Sequence, residues 1–318
     1  MLAVEPQSLE IKTALANYAQ HGYARLGTVL DTGGIEALRQ RCDDLMMGVV
    51  RYPAMFFQHD SPTGRYDELS YGKGPDQNNL SVHEGVDAPR QQGTRRANTQ
   101  GIQPTSNAAG ASAAAAELED HSDSGPRGWV GPSRSYRKLE GLDLDSTIWA
   151  WIENPLFARI AHTVIGDAVS LYRAVLWNKA ANAGTELPWH QDDGRFWGID
   201  RRPCLQIWTA LDDANEDSGC LEFVPATHLD GLASPEGGTV QAERFAESNA
   251  AAKVVKITAR AGEAILIHNH VWHRSGRNAT TAPRRAIGIS YLDAATRCRR
   301  RRRAPREFRR VFASEEIR

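Results

Sequence analysis

The chain has 318 residues, of which 41% are hydrophobic and 24% charged, so it is a globular chain with enough apolar residues for a substantial core. Its net charge of -1 is unevenly spread, because residues 297–318 carry ten arginines against three glutamates. The four cysteines form no CxxC pair, which argues against a structural zinc site or a disulfide framework. No apolar run reaches membrane-spanning length and no signal-peptide pattern opens the chain, so we expect a cytoplasmic protein without a membrane partner.

The opening of the chain predicts a helix, a strand and a second helix. Apolar residues recur at helical spacing over residues 9–18, and residues 22–30 alternate as in a strand. Residues 33–48 then place Leu38 and Cys42 on one apolar helical face.

A change of composition marks an insertion. Residues 75–127 are rich in Ala, Ser, Asn, Gln and Gly, and they hold almost no large apolar residue after Leu80. Such a segment cannot bury enough surface to offset the entropy lost on ordering. We therefore predict a single domain over residues 1–318 that contains a disordered insertion at 75–127 and ends in a basic tail at 297–318.

Short strands dominate the second half. A helical stretch interrupted near Pro155 precedes strand-like runs at residues 168–180, 203–213, 219–228, 252–269 and 284–293. Turn signals separate these runs and no helix intervenes, which predicts a sandwich or barrel. Near the end, Phe308, Val311 and Phe312 predict a helix that folds back onto the domain.

The run LPWHQDDGRFWG contains the first candidate metal ligands, His190 and Asp192. On a strand, residues i and i+2 face the same way, so both side chains can reach one ion. Two histidines and one carboxylate would leave coordination positions open on iron. By itself the pair is better explained as a solvated turn, and the third ligand must come from His268, His270 or His273 in ILIHNHVWHRSGRN.

Several runs together resemble a known family. They are WHQDD, IWTALDD, SGCLEFVPATH, AGEAILIH and HRSGRN, the last followed by an arginine eleven residues after its histidine. This combination resembles the phytanoyl-CoA dioxygenase family of iron(II)- and 2-oxoglutarate-dependent oxygenases, over most of residues 15–50 and 170–292. The resemblance implies a mostly β fold, with a double-stranded β-helix (jelly-roll, cupin-like) core and flanking α-helices.

The resemblance also implies roles for individual residues. His190, Asp192 and His273 match the catalytic iron(II) ligands of the family. Arg284 and Ser275 match the residues that bind the distal carboxylate of 2-oxoglutarate. A guanidinium can hold a carboxylate through two parallel, charge-assisted hydrogen bonds, which a lysine cannot reproduce.

For the other candidate cosubstrate-binding residues, an ordinary structural role is also possible. Arg285 competes with Arg284, but on a strand it would face the opposite way. Trp208 matches a position near the cosubstrate, although a strand tryptophan is often plain core. Asn178 is a candidate for binding the cosubstrate. Both Asn178 and Lys179 could line the pocket, and solvated positions would explain them equally well.

Three further histidines have ordinary explanations as well. We interpret His268 and His270 as packed or supporting residues, and His228 matches a loop at the mouth of the site. The neighbours of His190, which include Trp189 and Phe196, mix aromatic faces with charge and suit polar, ring-shaped molecules.

The resemblance implies that O2 and 2-oxoglutarate are consumed and that hydrogen is removed from a small-molecule substrate. Related halogenases carry a small residue in place of Asp192, so hydroxylation or oxidative ring closure is implied. The runs MFFQHDSPTGRYDELSYGKG and WVGPSRSYRKLEGLDLD are similar to the branch that forms orthoester or methylenedioxy rings on oligosaccharide antibiotics. That similarity implies a carbohydrate substrate near Arg134, Tyr136, Arg137 and Lys138, although a basic surface loop explains these residues equally well.

Two other function classes remain open. The chain can be a catalytically inactive jelly-roll binding or scaffold protein. It can also be an oxygenase that acts on nucleic acid or on a nucleic-acid-associated protein, since Arg299–Arg303 would attract phosphates. No aromatic residues are interleaved with that run for base stacking, so we expect no specific nucleic-acid partner.

Overall fold

A computed structural model of the chain describes residues 8–61, 63–69, 126–300 and 305–313. The insertion predicted at 75–127 lies outside the described residues, apart from its last two positions. No helix in the described ranges is long and apolar enough to cross a membrane.

The described helices are α1 (Ser8–His21), α2 (Thr32–Met46), α3 (Ser146–Ile152), α4 (Pro155–Val164) and α5 (Ala242–Glu247). The predicted first and second helices are confirmed as α1 and α2. The Asp31 side chain caps α2 by accepting a hydrogen bond from the Gly34 N–H at 2.7 Å. The predicted interruption near Pro155 is also confirmed, because Asn154 caps α4 and proline occupies its first turn.

The described strands, in chain order, are β1 (Tyr23–Thr28), β2 (Phe56–His59), β3 (Tyr136–Glu140), β4 (Ala168–Lys179), β5 (Leu187–Gln191), β6 (Leu205–Ala210), β7 (Leu221–Val224), β8 (Gly238–Thr239), β9 (Val255–Ile257), β10 (Glu263–Ile267), β11 (Trp272–Ser275), β12 (Arg284–Asp293) and β13 (Arg310–Ala313). The larger sheet has the order β1-β10-β6-β12-β4-β3-β2, and β13 also pairs with β4. The smaller sheet has the order β8-β5-β11-β7-β9. These two antiparallel sheets form the jelly-roll core that the resemblance implies.

The larger sheet is buried on both faces. Ile207 and Ile287 pack against the helices on its outer face, whereas Trp208 and Ala286 pack in the cluster shared with the smaller sheet. Neighbouring strand residues point to opposite faces, so these strands read as nearly continuous apolar runs. The polar residues that do point inward between the sheets therefore stand out as candidates for a site.

The end of the chain differs from the prediction. Phe308, Val311 and Phe312 predicted a helix, but residues 310–313 form β13, which pairs with the first residues of β4. β3 pairs only with the later residues of β4. The backbone groups at the beginning of β4 therefore remain available to pair with β13. The tail thus folds back as predicted, as a strand rather than a helix, and a short apolar pattern cannot distinguish the two.

We expect Phe312→Ala to lower the free energy of unfolding by about 3 kcal/mol, because this side chain is 5% exposed in the main apolar cluster. Urea unfolding measures the change. Leu229→Ala is the control, since Leu229 is 70% exposed and its truncation should have little effect. An unfolding midpoint unchanged in Phe312→Ala would show that β13 does not pack as described.

Candidate metal centre

Two histidines face each other across neighbouring strands of the smaller sheet. His190 on β5 and His273 on β11 are directly paired, and their ring centroids lie 4.0 Å apart. Nδ1 of His190 lies 2.8 Å from the Pro188 carbonyl oxygen, and Nδ1 of His273 lies 2.9 Å from that of Val271. A carbonyl oxygen only accepts, so each Nδ1 donates, and Nε2 is the nitrogen through which each ring could bind a metal.

Asp192 lies just beyond the end of β5. Its backbone N–H donates to the Asn269 carbonyl oxygen at 2.8 Å, and the Asn269 side chain donates back to the Asp192 carbonyl oxygen at 2.9 Å. One potential ligand atom from each of His190, Asp192 and His273 lies within 4.8 Å of the others. The structure therefore brings together all three residues that the sequence predicts as metal ligands.

Both oxygens of the Asp192 carboxylate accept hydrogen bonds from the larger sheet. Arg173 on β4 donates to Oδ1 at 3.2 Å, and Gln206 on β6 donates to Oδ2 at 2.8 Å. Burial favours the neutral acid, but nearby His273, whose Nε2 lies 3.6 Å from Oδ2, and the charge of Arg173 outweigh it and hold the Asp192 pKa well below its ordinary value. Asp192 is thus an oriented carboxylate, which is the form that binds a cation.

A cavity between the sheets begins at these three residues. Its lining also includes Trp177, Lys179, Trp208, Ser275, Arg284 and Gly288. Arg284 is 2% exposed, and it donates to the Gly219 carbonyl oxygen at 2.9 Å while its Nε has no partner. Burial lowers the pKa of Arg284 to about 10. Within the described ranges no carboxylate forms an ion pair with this guanidinium.

This arrangement fits iron(II) and 2-oxoglutarate. Two imidazoles and one carboxylate are the donor set of an iron site with open positions. Arg284 is a buried cation with an unpartnered N–H in the same cavity, so an anionic cosubstrate would supply its counter-charge. The guanidinium carbon lies 5.6 Å from the centre of the Trp208 ring, which places both predicted residues on the same wall.

Strand alternation separates Arg285 and Asn178 from the site. Arg285 points to the outer face of the sheet, where it pairs with Asp212 and Asp43 at 2.8 Å each. Asn178 borders the cavity, but its amide donates to the carbonyl oxygens of Arg134 and Tyr136, so its side chain holds β3 against β4. We therefore leave Asn178 out of the cosubstrate site proposed below.

The other predicted neighbours divide in the same way. Trp189 alternates with His190 along β5, and its ring stacks on Phe245 with 4.9 Å between centroids. Trp197 stacks on Tyr172 with 4.0 Å between centroids. Phe196, in contrast, lines a second cavity that also borders His190 and Asp192.

The other three histidines considered from the sequence lie outside the ligand set. His270 is buried and its Nε2 lies 2.7 Å from the Asp193 carboxylate, which supports the loop after Asp192. His268 accepts from the His270 backbone N–H, and burial lowers its pKa to about 3. His228 lies against the Ala19 carbonyl oxygen of α1, so it does not border the cavities described here.

A second cavity adjoins the ligands on the side away from Arg284. Its lining includes Gln58, Tyr66, Arg137, Lys138, Arg173, Trp177, Phe196 and Thr239. Arg137 donates to the Gln58 side chain at 2.6 Å and lies 5.9 Å from the centre of the Trp177 ring. Of the four basic-segment residues predicted near the pocket, Arg137 and Lys138 line it, whereas Tyr136 packs in the outer core and Arg134 is exposed.

Sequence reasoning missed the residues that hold Asp192. Arg173 and Gln206 each interrupt a predicted apolar strand, and that interruption was the available signal. A charged or amide side chain in a buried strand requires a polar partner. The sequence does not identify that partner, because the two donors come from β4 and β6 of the opposite sheet.

The basic tail braces the loop that follows Asp192. The Arg299 N–H donates to the Gly198 carbonyl oxygen at 2.7 Å, and the Arg300 side chain donates to that of Phe196 at 2.9 Å. The Arg306 guanidinium donates to the Tyr172 carbonyl oxygen. At least these arginines are engaged with the protein's own backbone.

The sequence profile of the phytanoyl-CoA dioxygenase (PhyH) family matches residues 18–286. The chain belongs to this family. Phytanoyl-CoA dioxygenases depend on iron(II) and 2-oxoglutarate, and His190, Asp192 and His273 are the described residues that could hold the metal. The enzyme class of the family is that of non-haem dioxygenases.

Individual relatives agree with this membership. A phytanoyl-CoA dioxygenase domain-containing protein 1 from Danio rerio is 30% identical over 44% of this chain and 54% of its own length. The L-proline trans-4-hydroxylase of Streptomyces griseoviridis is 25% identical over 50% of this chain and 68% of its own length. The chain thus spans only about half the length of the Danio rerio relative.

The fold also matches solved structures. The epimerase SnoN from nogalamycin biosynthesis, in a complex with Fe3+, alpha ketoglutarate and nogalamycin RO, has a TM-score of 0.58 and 18% identity to this chain. The match covers 92% of this chain and 88% of SnoN. At this identity the likeness establishes the shared fold.

We expect Gln206→Leu to weaken manganese(II) binding about tenfold, because Asp192 loses the donor that orients Oδ2. Manganese(II) serves as a spectroscopic substitute for iron(II), and electron paramagnetic resonance measures its free fraction. Gln40→Leu is the matched control, since Gln40 is exposed on α2, where its amide donates to Asp44. Equal affinities in the two variants would rule out a positioning role for Gln206.

Proposed function

We propose that this protein is an iron(II)- and 2-oxoglutarate-dependent dioxygenase that hydroxylates, or closes a ring on, a polar small molecule. The observation that carries the proposal is the convergence of His190, Asp192 and His273 on one wall of a cavity that also contains Arg284. When bound, iron(II) with 2-oxoglutarate and O2 removes hydrogen from a substrate carbon and yields succinate and CO2.

In this proposal each described residue has a defined task. His190, Asp192 and His273 bind iron(II). Arg284 and Ser275 hold the distal carboxylate of 2-oxoglutarate, and Trp208 packs beside the cosubstrate; all three line the ligand cavity. The carboxylate of Asp192 would take the iron position that a halide needs in chlorinating relatives, so hydroxylation or ring closure is proposed rather than chlorination.

The second cavity is proposed as the substrate site. The aromatic side chains of Tyr66, Trp177 and Phe196 provide flat apolar faces, and Gln58 and Lys138 provide polar groups. Such a mixture suits a polar ring, because apolar ring faces pack on aromatic groups while hydroxyls form hydrogen bonds. We therefore propose a carbohydrate-containing molecule of secondary metabolism as the substrate, and this interpretation agrees with the antibiotic pathway of SnoN.

The two alternative functions have less support. A binding or scaffold protein would not require an oriented carboxylate beside two histidines whose Nδ1 atoms are both held by carbonyl oxygens. An enzyme acting on nucleic acid would use the basic tail, yet the Arg300 and Arg306 side chains donate to carbonyl oxygens of the protein. We include the whole of residues 1–318 in one oxygenase domain, as the sequence predicts.

We expect the iron(II)-loaded protein to form succinate from 2-oxoglutarate in an oxygen-dependent reaction, even slowly without substrate. His190→Ala should reduce the rate at least about 100-fold, because the iron loses a direct ligand. Succinate is quantified by mass spectrometry with and without O2. His268→Ala is the matched control, since His268 lies outside the ligand set. Oxygen-independent succinate, or an active His190→Ala variant, would contradict the proposed function.

We expect a carbohydrate-containing molecule to accelerate that background turnover and to be oxidised in the process. The probes are nogalamycin, a panel of oligosaccharides, L-proline and phytanoyl-CoA. Succinate formation and the product mass measure the response to each. Oxidation of L-proline or phytanoyl-CoA, with no response to any sugar-containing probe, would contradict the carbohydrate assignment and leave the dioxygenase assignment intact.

A further inference from the structure

A buried lysine lies beside Arg284. In the pairing of β4 with β12, Lys179 is directly opposite Arg284. Directly opposed residues of an antiparallel pair extend their side chains on the same face of the sheet. Both residues line the cavity that contains the three candidate iron ligands, and Lys179 is 6% exposed.

Neutral carbonyl groups are the acceptors that both cations have. The Lys179 ammonium donates to the Thr185 carbonyl oxygen at 2.6 Å, and the Arg284 guanidinium donates to the Gly219 carbonyl oxygen. Across the ranges that the structure describes, neither cation forms an ion pair with a carboxylate. Two adjacent buried cations are unfavourable without a counter-ion, and this cavity is open to an anionic ligand.

The surroundings of Lys179 show the same imbalance of charge. Burial, and then the positive charges of Arg284 on β12 and Arg137 on β3, lower the pKa of Lys179 well below its ordinary value. Asp60 and Glu186 are the acids that oppose this shift, and they do not outweigh it. One Asp60 oxygen already accepts hydrogen bonds from the backbone and hydroxyl of Thr185. A bound carboxylate would therefore add negative charge that these two acids do not supply.

We propose that Lys179 is a second cationic anchor for the distal carboxylate of 2-oxoglutarate, beside Arg284. This inference rests on the proposed function. Arg284 offers a planar pair of donors, whereas the Lys179 ammonium offers a compact charge that can approach the same carboxylate from the neighbouring strand. The consequence is selectivity, because a 2-oxoacid without a distal carboxylate would leave both cations uncompensated.

The decisive variant is Lys179→Met, which removes the charge and keeps a side chain of similar length. Calorimetry on the manganese(II)-loaded protein compares 2-oxoglutarate with 2-oxobutyrate, the same 2-oxoacid without its distal carboxylate. We expect the variant to bind 2-oxoglutarate at least about tenfold more weakly and 2-oxobutyrate as the wild type does. Lys256→Met is the matched control, since Lys256 is half exposed and pairs with Glu216 at the surface.

A second variant separates charge from local structure. Lys179→Gln removes the charge but retains an N–H group that can donate to the Thr185 carbonyl oxygen. It should show the same selective loss of 2-oxoglutarate affinity, and it decides the question if Lys179→Met does not fold. Rescue of full affinity by Gln would indicate that Lys179 only supports the Thr185 backbone, which overturns the inference.

Other outcomes are equally distinct. An unchanged affinity for 2-oxoglutarate, or an equal loss for both ligands, would show that Lys179 does not contact the distal carboxylate. If Arg284→Met still weakens 2-oxoglutarate binding in that case, the proposed function stands without Lys179. A wild-type protein that binds no 2-oxoglutarate would overturn the proposed function itself.

Discussion

The site depends on the direct pairing of His190 with His273 between β5 and β11. This pairing brings two imidazoles from segments more than eighty positions apart to within 4.0 Å of each other. A slip of one residue in either strand would turn one imidazole to the opposite face of the smaller sheet. The hydrogen bonds to the Pro188 and Val271 carbonyl oxygens then fix which ring nitrogen faces the site.

The larger sheet complements this pair with two charged regions. Near the ligands, Arg173 and Gln206 satisfy the carboxylate of Asp192, so the charges there are matched within the protein. At the other end of the cavity, Lys179 and Arg284 have carbonyl partners without an ion pair in the described residues. Charges are thus balanced within the protein near the metal ligands, and positive charge is left unbalanced at the wall that we propose binds an anion.

The tail has a structural part in the same site. Residues 310–313 add a strand to β4, and the Arg300 side chain and the Arg299 backbone hold the loop that contains Phe196. This loop forms one wall of the proposed substrate cavity. The described part of this arginine-rich tail, whose composition is typical of nucleic-acid-binding segments, thus forms hydrogen bonds to the backbone beside the candidate metal centre.

The kinds of residue that make the site, and their order along the chain, can be read from the sequence alone. The chemistry of iron binding points to His190 and Asp192 as candidates, whereas His273 and Arg284 are assigned through the family resemblance. The first helices are identifiable from local periodicity, since their apolar faces repeat within one segment. Tertiary structure decided everything that depends on pairing between distant strands.

That pairing set Lys179 opposite Arg284, whereas the amide of its sequence neighbour Asn178 donates to the backbone of β3. It selected Arg173 and Gln206 as the donors to Asp192, and it made the tail a strand because the edge of β4 was available. The physical reason is that a strand has two alternating faces, and only its partners and their register determine which face looks into the cavity.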